Sequence, residues 1–157
     1  MTLVTVTPMS NELRRKAIRL LSRREHTRAE LTRKLAADGT KEEIEAVIAE
    51  LQASQLQSDS RAAECYVRGN AARLGASRLR QNLKTRGVSS ELIEAQLAPE
   101  ALPDELERAR TVWQRKFSAA PGDARDWARQ ARFLQGRGFA SDIIRRLLKQ
   151  PAGEFAE

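Results

Sequence analysis

Three kinds of side chain in this sequence are capable of chemistry: a carboxylate pair, a lone thiol and imidazole, and a large surplus of arginine. Asp123 and Asp126 stand three residues apart. An acid–base or metal pair fits that spacing, but so do a helix N-cap and a first-turn acid, and we read them as the latter. Cys65 and His26 are the only residues of their kinds. They make neither a metal-ligand set nor a nucleophile with its base, and a single cysteine closes no internal disulfide. No phosphate loop or carboxylate cluster is present. The expectation is a binding protein, not an enzyme, with no metal and no cofactor.

The arginines point to a partner. Lys and Arg number 28 against 21 Asp and Glu, a net charge of +7. Arginine dominates, and its planar fork matches phosphate or carboxylate. A chain so basic is drawn to polyanions, the plainer alternative being a solvated helical surface. The charge has a definite setting in residues 75–97, GASRLRQNLKTRGVSSELIEAQL. Leu79 and Leu83 share one helical face, while Arg78, Arg80, Lys84 and Arg86 occupy the remaining surface. Gly87 supplies the left-handed position that ends a helix, and Leu92, Ile93 and Leu97 begin another stripe.

The chain writes this pattern three times, around Gly39, Gly87 and Gly138, which are 48 and 51 residues apart. A leucine precedes each glycine by four (Leu35, Leu83, Leu134), and an apolar residue follows by five (Ile44, Leu92, Ile143). Each unit has room for one more helix upstream. The expected fold is all-α: three tandem three-helix, helix-turn-helix-like repeats in an elongated, curved array. The boundaries read as a disordered lead at 1–10, repeats at 11–56, 57–98 and 99–150, and a tail at 151–157. Units so small bury little surface, so neighbours are expected to support one another.

Local signals place the helices. Ser10 or Asn11 is read as the start of the first, with Leu13, Ala17, Leu20 and Leu21 as its apolar stripe. Thr27–Glu30 and Thr40–Glu43 fit capping boxes. Ser58 or Asp59 caps the next, whose Tyr66 is read as core packing, with stacking on a nucleic-acid base as the other reading. Cys65 is read as a semi-buried filler. Residues 98–105, APEALPDE, form an acidic linker in which Pro103 suits a first helical turn. Between Arg108 and Lys149 lie 11 basic and three acidic residues, making the third unit the most basic. No signal peptide is visible, and no apolar run approaches the roughly 20 residues that span a bilayer. A soluble, cytoplasmic monomer without membrane contact is expected.

Two binding readings follow. In one, a helix of a repeat enters the major groove of duplex DNA. Against it, the helices after the glycine turns are poor in base-reading side chains, apart from Arg145 and Arg146. In the other, the stacked units present a long basic face to a repetitive partner such as a filament. That reading suits cations placed mainly on the helices before the turns, where they meet phosphate or acidic protein rather than base edges.

A family resemblance favours the second reading. The run Leu56-x-x-Asp59-x-Arg61-x-Ala63-x-x-Tyr66-Val67-Arg68, followed by Gly75 and Arg78-Leu79-Arg80-x-x-Leu83-x-x-x-Gly87-Val88, resembles the RecX family of recombination regulators. So does Ala17-Ile18-Arg19-Leu20-Leu21-Ser22-Arg23-Arg24-Glu25-His26-Thr27-Arg28-Ala29-Glu30-Leu31. The likeness spans about residues 12–149 and is loosest in the third unit. It implies a partner, the RecA filament on single-stranded DNA, whose growth the protein limits or whose loss it promotes, lowering ATPase and strand exchange. Ala62 departs from the family, where Phe is common, and Ser60 from a frequent acid; the smaller Ala62 is expected to remove core volume from the second unit. The candidates for contact with the filament or its DNA are Arg73, Arg78, Arg80, Lys84, Arg86, Arg129, Arg132 and Arg137.

Overall fold

The computed structural model describes residues 8–149. The expectations for 1–7 and for the tail beyond 149 lie outside them. Among the described residues the chain is helical, with no strand. Helices α1 (Pro8–Arg23), α2 (Arg28–Leu35) and α3 (Lys41–Ala53) form the first unit. Helices α4 (Asp59–Asn70), α5 (Ala76–Thr85) and α6 (Ser90–Leu97) form the second. Helices α7 (Glu105–Lys116), α8 (Ala124–Gly136) and α9 (Ser141–Leu148) form the third.

Each unit closes over its own core. Leu13 and Ala17 of α1 meet Leu31, Leu35, Ile44, Val47, Ile48 and Leu51. The second core is built from smaller side chains, Ala63, Val67 and Ala71 against Leu79, Leu83, Val88 and Ile93, with Tyr66 at its edge. The third gathers Ala109, Val112, Leu134, Phe139, Ile143, Ile144 and Leu148. Apart from Val88 and Phe139, which follow the turn glycines, these residues lie on the helices or at the end of one, on stripes of the kind that helical periodicity marks.

The caps form where the spacing places them. Thr27 and Thr40 each complete a capping box, with Glu30 and Glu43. The Ser58 side chain accepts the Arg61 N–H. Asp123 accepts the Asp126 N–H, so this carboxylate pair is a helix cap. Three details differ from expectation. Helix α1 begins at Pro8, two residues before Ser10, because proline at a first helical position gives up no hydrogen bond, so residues 8–10 belong to a helix and not to a lead. Pro103 lies outside α7, which starts after Asp104. Cys65 is exposed rather than semi-buried, since α4 turns Ala62 and Ala63 inward instead.

The glycine turns show why the sequence repeats them. Gly87 and Gly138 have φ of 81° and 93°. At both, the glycine and its successor close the preceding helix: Gly87 N–H donates to Lys84 and Val88 N–H to Leu83, as Gly138 does to Gln135 and Phe139 to Leu134. At both, the missing Cβ also admits the unit before. A Cβ on Gly87 would lie 2.4 Å from the Ala29 Cβ, and one on Gly138 would lie 2.2 Å from the Arg78 Cβ. Gly39, in the first unit, does not adopt the left-handed conformation.

The junctions are therefore made of backbone and polar groups. Thr27 Oγ1 donates to the carbonyl of Arg86, the residue before Gly87, at 2.6 Å. At the equivalent place in the second unit, the Gly75 N–H donates to the carbonyl of Arg137, the residue before Gly138, at 2.7 Å. Neither Thr27 nor Gly75 is near its partner in sequence, being 59 and 62 residues away by numbering. The first junction adds Arg28 N–H to Asp59, the Gln57 amide to the His26 carbonyl, and an Arg61–Glu25 ion pair. The second adds Arg108, whose buried guanidinium donates to the carbonyls of Ala71 (2.9 Å) and Leu74 (2.5 Å).

Candidate nucleic-acid interface

The eight candidate cations fall into three groups. Two are neutralised by partners on their own unit. Arg80 of α5 reaches across to Glu94 of α6 at 2.8 Å, which holds the Glu94 carboxyl below its usual range. Arg129 pairs with Asp126 one turn earlier in α8 at 2.7 Å, and that bond with the Gly122 N–H lowers the Asp126 carboxyl. Both pairs are exposed, where such contacts add little stability.

Two more lie over aromatic rings. The Arg86 guanidinium sits 4.3 Å from the centroid of Tyr66. Tyr66 is thereby covered on a face, and its hydroxyl accepts the Asn82 amide at 2.6 Å, so the packing reading describes its observed contacts. Arg137 lies 5.3 Å from the centroid of Phe133. Such stacking holds an arginine without consuming its charge.

The remaining four, Arg73, Arg78, Lys84 and Arg132, pair with no carboxylate among the described residues. All four are exposed, and the Cβ of Arg78 lies against the Gly138 turn. Arg73 donates to the Asn70 side-chain oxygen. Lys84 and Arg78 project from α5, whose Leu79 and Leu83 are fully buried; the helix offers its cations outward because its leucines face in.

The structure brings Arg73 and Arg137 together. They line a cleft of about 290 Å³ between the second and third units, with Arg115, Lys116 and Phe133, over a floor of Ala72 and Val112. Arg115 and Lys116 carried no distinguishing signal in the sequence beyond the basic character of their unit. Only the fold sets the end of α7 beside the end of α4. Arg108 was equally hidden: it counts as charge in the sequence, yet it is buried in the fold and serves the junction. Burial works against its charge and lowers its proton affinity, while Glu105 and Asp104 oppose that.

At the other junction a cleft of about 380 Å³ is lined by Ala62, Cys65, Tyr66, Leu83 and Arg86 together with Arg24, Glu25 and Glu30 of the first unit. Ala62, itself buried, faces this cleft between two units. Charge here is mixed. Burial raises the Glu30 carboxyl, but its bonds from Arg24 and the Thr27 N–H outweigh that and leave it below the usual range. Among the described residues no cluster of His, Cys, Asp and Glu is arranged to hold a metal. No described helix is long and apolar enough to cross a membrane.

Comparison with known proteins matches the three units in order. The family descriptions "RecX, first three-helix domain", "RecX, second three-helix domain" and "RecX, third three-helix domain" match residues 14–51, 58–97 and 103–148. Regulatory protein RecX of Leptothrix cholodnii is 45% identical over 139 residues, covering 87% of each chain. Its counterpart in Chromobacterium violaceum is 44% identical over 138 residues, covering 87% of this chain and 88% of that one. The protein of the same name from Pseudomonas savastanoi pv. phaseolicola is 43% identical over 157 residues, 98% of this chain and 99% of its own. The crystal structure of RecX from Lactobacillus salivarius superposes with a TM-score of 0.74 at 23% identity, covering 90% of this chain and 95% of that chain; it supports the fold.

Proposed function

The chain belongs to the RecX family of regulatory proteins, and on that premise we propose that it is a negative regulator of the RecA recombinase. It binds the RecA filament on single-stranded DNA through its basic residues, limits filament growth or promotes disassembly, and so lowers ATPase and strand-exchange activity. It acts in the cytoplasm, as a monomer, and by binding rather than by catalysis. The observation that carries this reading is the family match in all three units, with 45% identity to a curated regulator. The cations without a carboxylate partner at Arg73, Arg78, Lys84 and Arg132 support it, because charge free of local carboxylates is what a polyanionic filament engages.

The test is the ATPase activity of RecA on single-stranded DNA, titrated with this protein, beside a measurement of its binding to bare DNA. Suppression at amounts well below one per RecA, with weak binding to bare duplex, is expected. Tight, salt-sensitive duplex binding with no suppression would replace the filament reading with that of a helix-turn-helix protein acting on duplex DNA directly.

A further inference from the structure

The cleft between the second and third units concentrates positive charge in a way its surroundings do not. Four cations from three helix ends converge there: Arg73 after α4, Arg115 and Lys116 at the end of α7, and Arg137 at the end of α8. No carboxylate lines it. Clefts elsewhere on the described surface mix the two signs, as where Arg24 meets Glu30 and Lys16 meets Asp38.

Three of the four charges are also held in place. Phe133 lies 5.3 Å from the Arg137 guanidinium and 5.8 Å from the Lys116 ammonium, and its edge-to-face contact with Phe117 fixes the ring. Asn70 tethers Arg73. The Arg137 backbone is pinned by the junction bond from Gly75. Side chains already ordered lose less freedom when an anion arrives, which raises affinity without any new interaction.

We propose that this cleft binds the phosphate backbone of a single nucleic-acid strand. An arginine fork accepts phosphate and carboxylate alike, so geometry at one residue does not choose between them. The company of charges does. A protein surface brings both signs and asks for carboxylates in return, and this cleft offers none; a strand brings regularly spaced negative charge, which four clustered cations match. The lining side chains carry hydrogen-bond donors and no acceptor, so nothing in the cleft answers the donor groups of the bases. The proposal rests on the filament reading only for which strand is met in the cell. Its test contains no RecA and no ATPase, so the two fail separately.

Binding of a labelled oligo(dT) to the full chain is measured across a salt series for the wild type, R115Q/K116Q and R145Q/R146Q. All four substituted side chains are exposed, and each double variant removes the same formal charge. Each phosphate that a cation ceases to neutralise on a single strand lowers the salt slope by about 0.7, so R115Q/K116Q is expected to lower it by about 1.4 and R145Q/R146Q by much less. Equal reductions in the two variants would trace the effect to net charge and overturn the cleft. So would competition by poly-glutamate as effective, per charge, as by oligo(dT), which would mark an acidic protein as the ligand. Matching thermal melts confirm that both variants are folded.

Discussion

His26 is neutral in the fold, and its neighbours keep it so. The ring is 1% exposed. Nδ1–H donates to the Arg24 carbonyl and Nε2 accepts from the Lys34 ammonium, both at 3.0 Å, so a second proton would face a cation. Burial lowers its proton affinity most; the Arg24 carbonyl opposes this, the charges of Arg24 and Lys34 add to it, and Glu30 opposes it again. With the folded value below the ordinary 6.5, the unfolded chain takes up the proton first. The stability this residue contributes is complete above about 6.5 and drains away as pH falls through the folded value. Thermal melts between about pH 7.5 and 5 are expected to show a falling midpoint that flattens in His26→Gln; an unchanged slope would remove His26 as its source. The sequence shows His26 only as a solitary imidazole. Its partners Lys34 and Gln57 lie 8 and 31 residues away, beyond any local pattern.

Helices and their ends follow from neighbouring residues, which is why the stripes and the capping boxes at Thr27 and Thr40 were legible in the sequence. The turn glycines were legible as turns but not as docking points, because the groups they admit come from another unit. Gly136 and Gly138 separate the two roles. Gly136 is the last helical residue of α8, and a Cβ there meets nothing within 4 Å. Gly136→Ala is expected to stabilise by about 0.5–1 kcal/mol through helix propensity. Gly138→Ala adds the strain of a positive φ to a collision with Arg78, and should cost at least about 2 kcal/mol. Urea melts that moved both in the same direction would contradict this account. Arg108 ties α7 to the end of α4 and the turn beyond it through carbonyls that carry no residue-type signature, so nothing in the sequence announced it. Arg108→Met, which leaves those carbonyls without their charged donor, is expected to cost about 2–3 kcal/mol. Arg108→Lys should recover only part, since a lysine lacks the fork that spans both acceptors; full recovery would mean that charge alone holds the junction.

Across the whole molecule, three small cores joined by polar junctions leave the outward face of α5 free to carry charge, and the useful charge is what remains after internal pairing. A count of Lys and Arg does not separate Arg78 and Lys84 from Arg80, because Glu94 lies fourteen residues from Arg80 and reaches it only through the α5–α6 fold. The formal charge of the Arg80–Glu94 pair sums to zero, and the two side chains spend two hydrogen bonds on each other rather than on a partner. Removing the pair as a unit, R80Q/E94Q, should therefore leave suppression of the RecA ATPase near the wild-type level. R78Q/K84Q removes two charges without carboxylate partners from the same helix and should raise the amount of protein needed for half-suppression. It should also weaken the dependence of that amount on salt, by about 0.7 in slope for each phosphate of single-stranded DNA left without its cation. The charge reversal R78E/R80E/K84E should deepen the same defect. Equal behaviour of R80Q/E94Q and R78Q/K84Q would mean that pairing within the fold does not decide which cations meet the filament. If R78E/R80E/K84E suppressed as well as the wild type, α5 would face away from the filament, and binding would fall to the cations of the third unit.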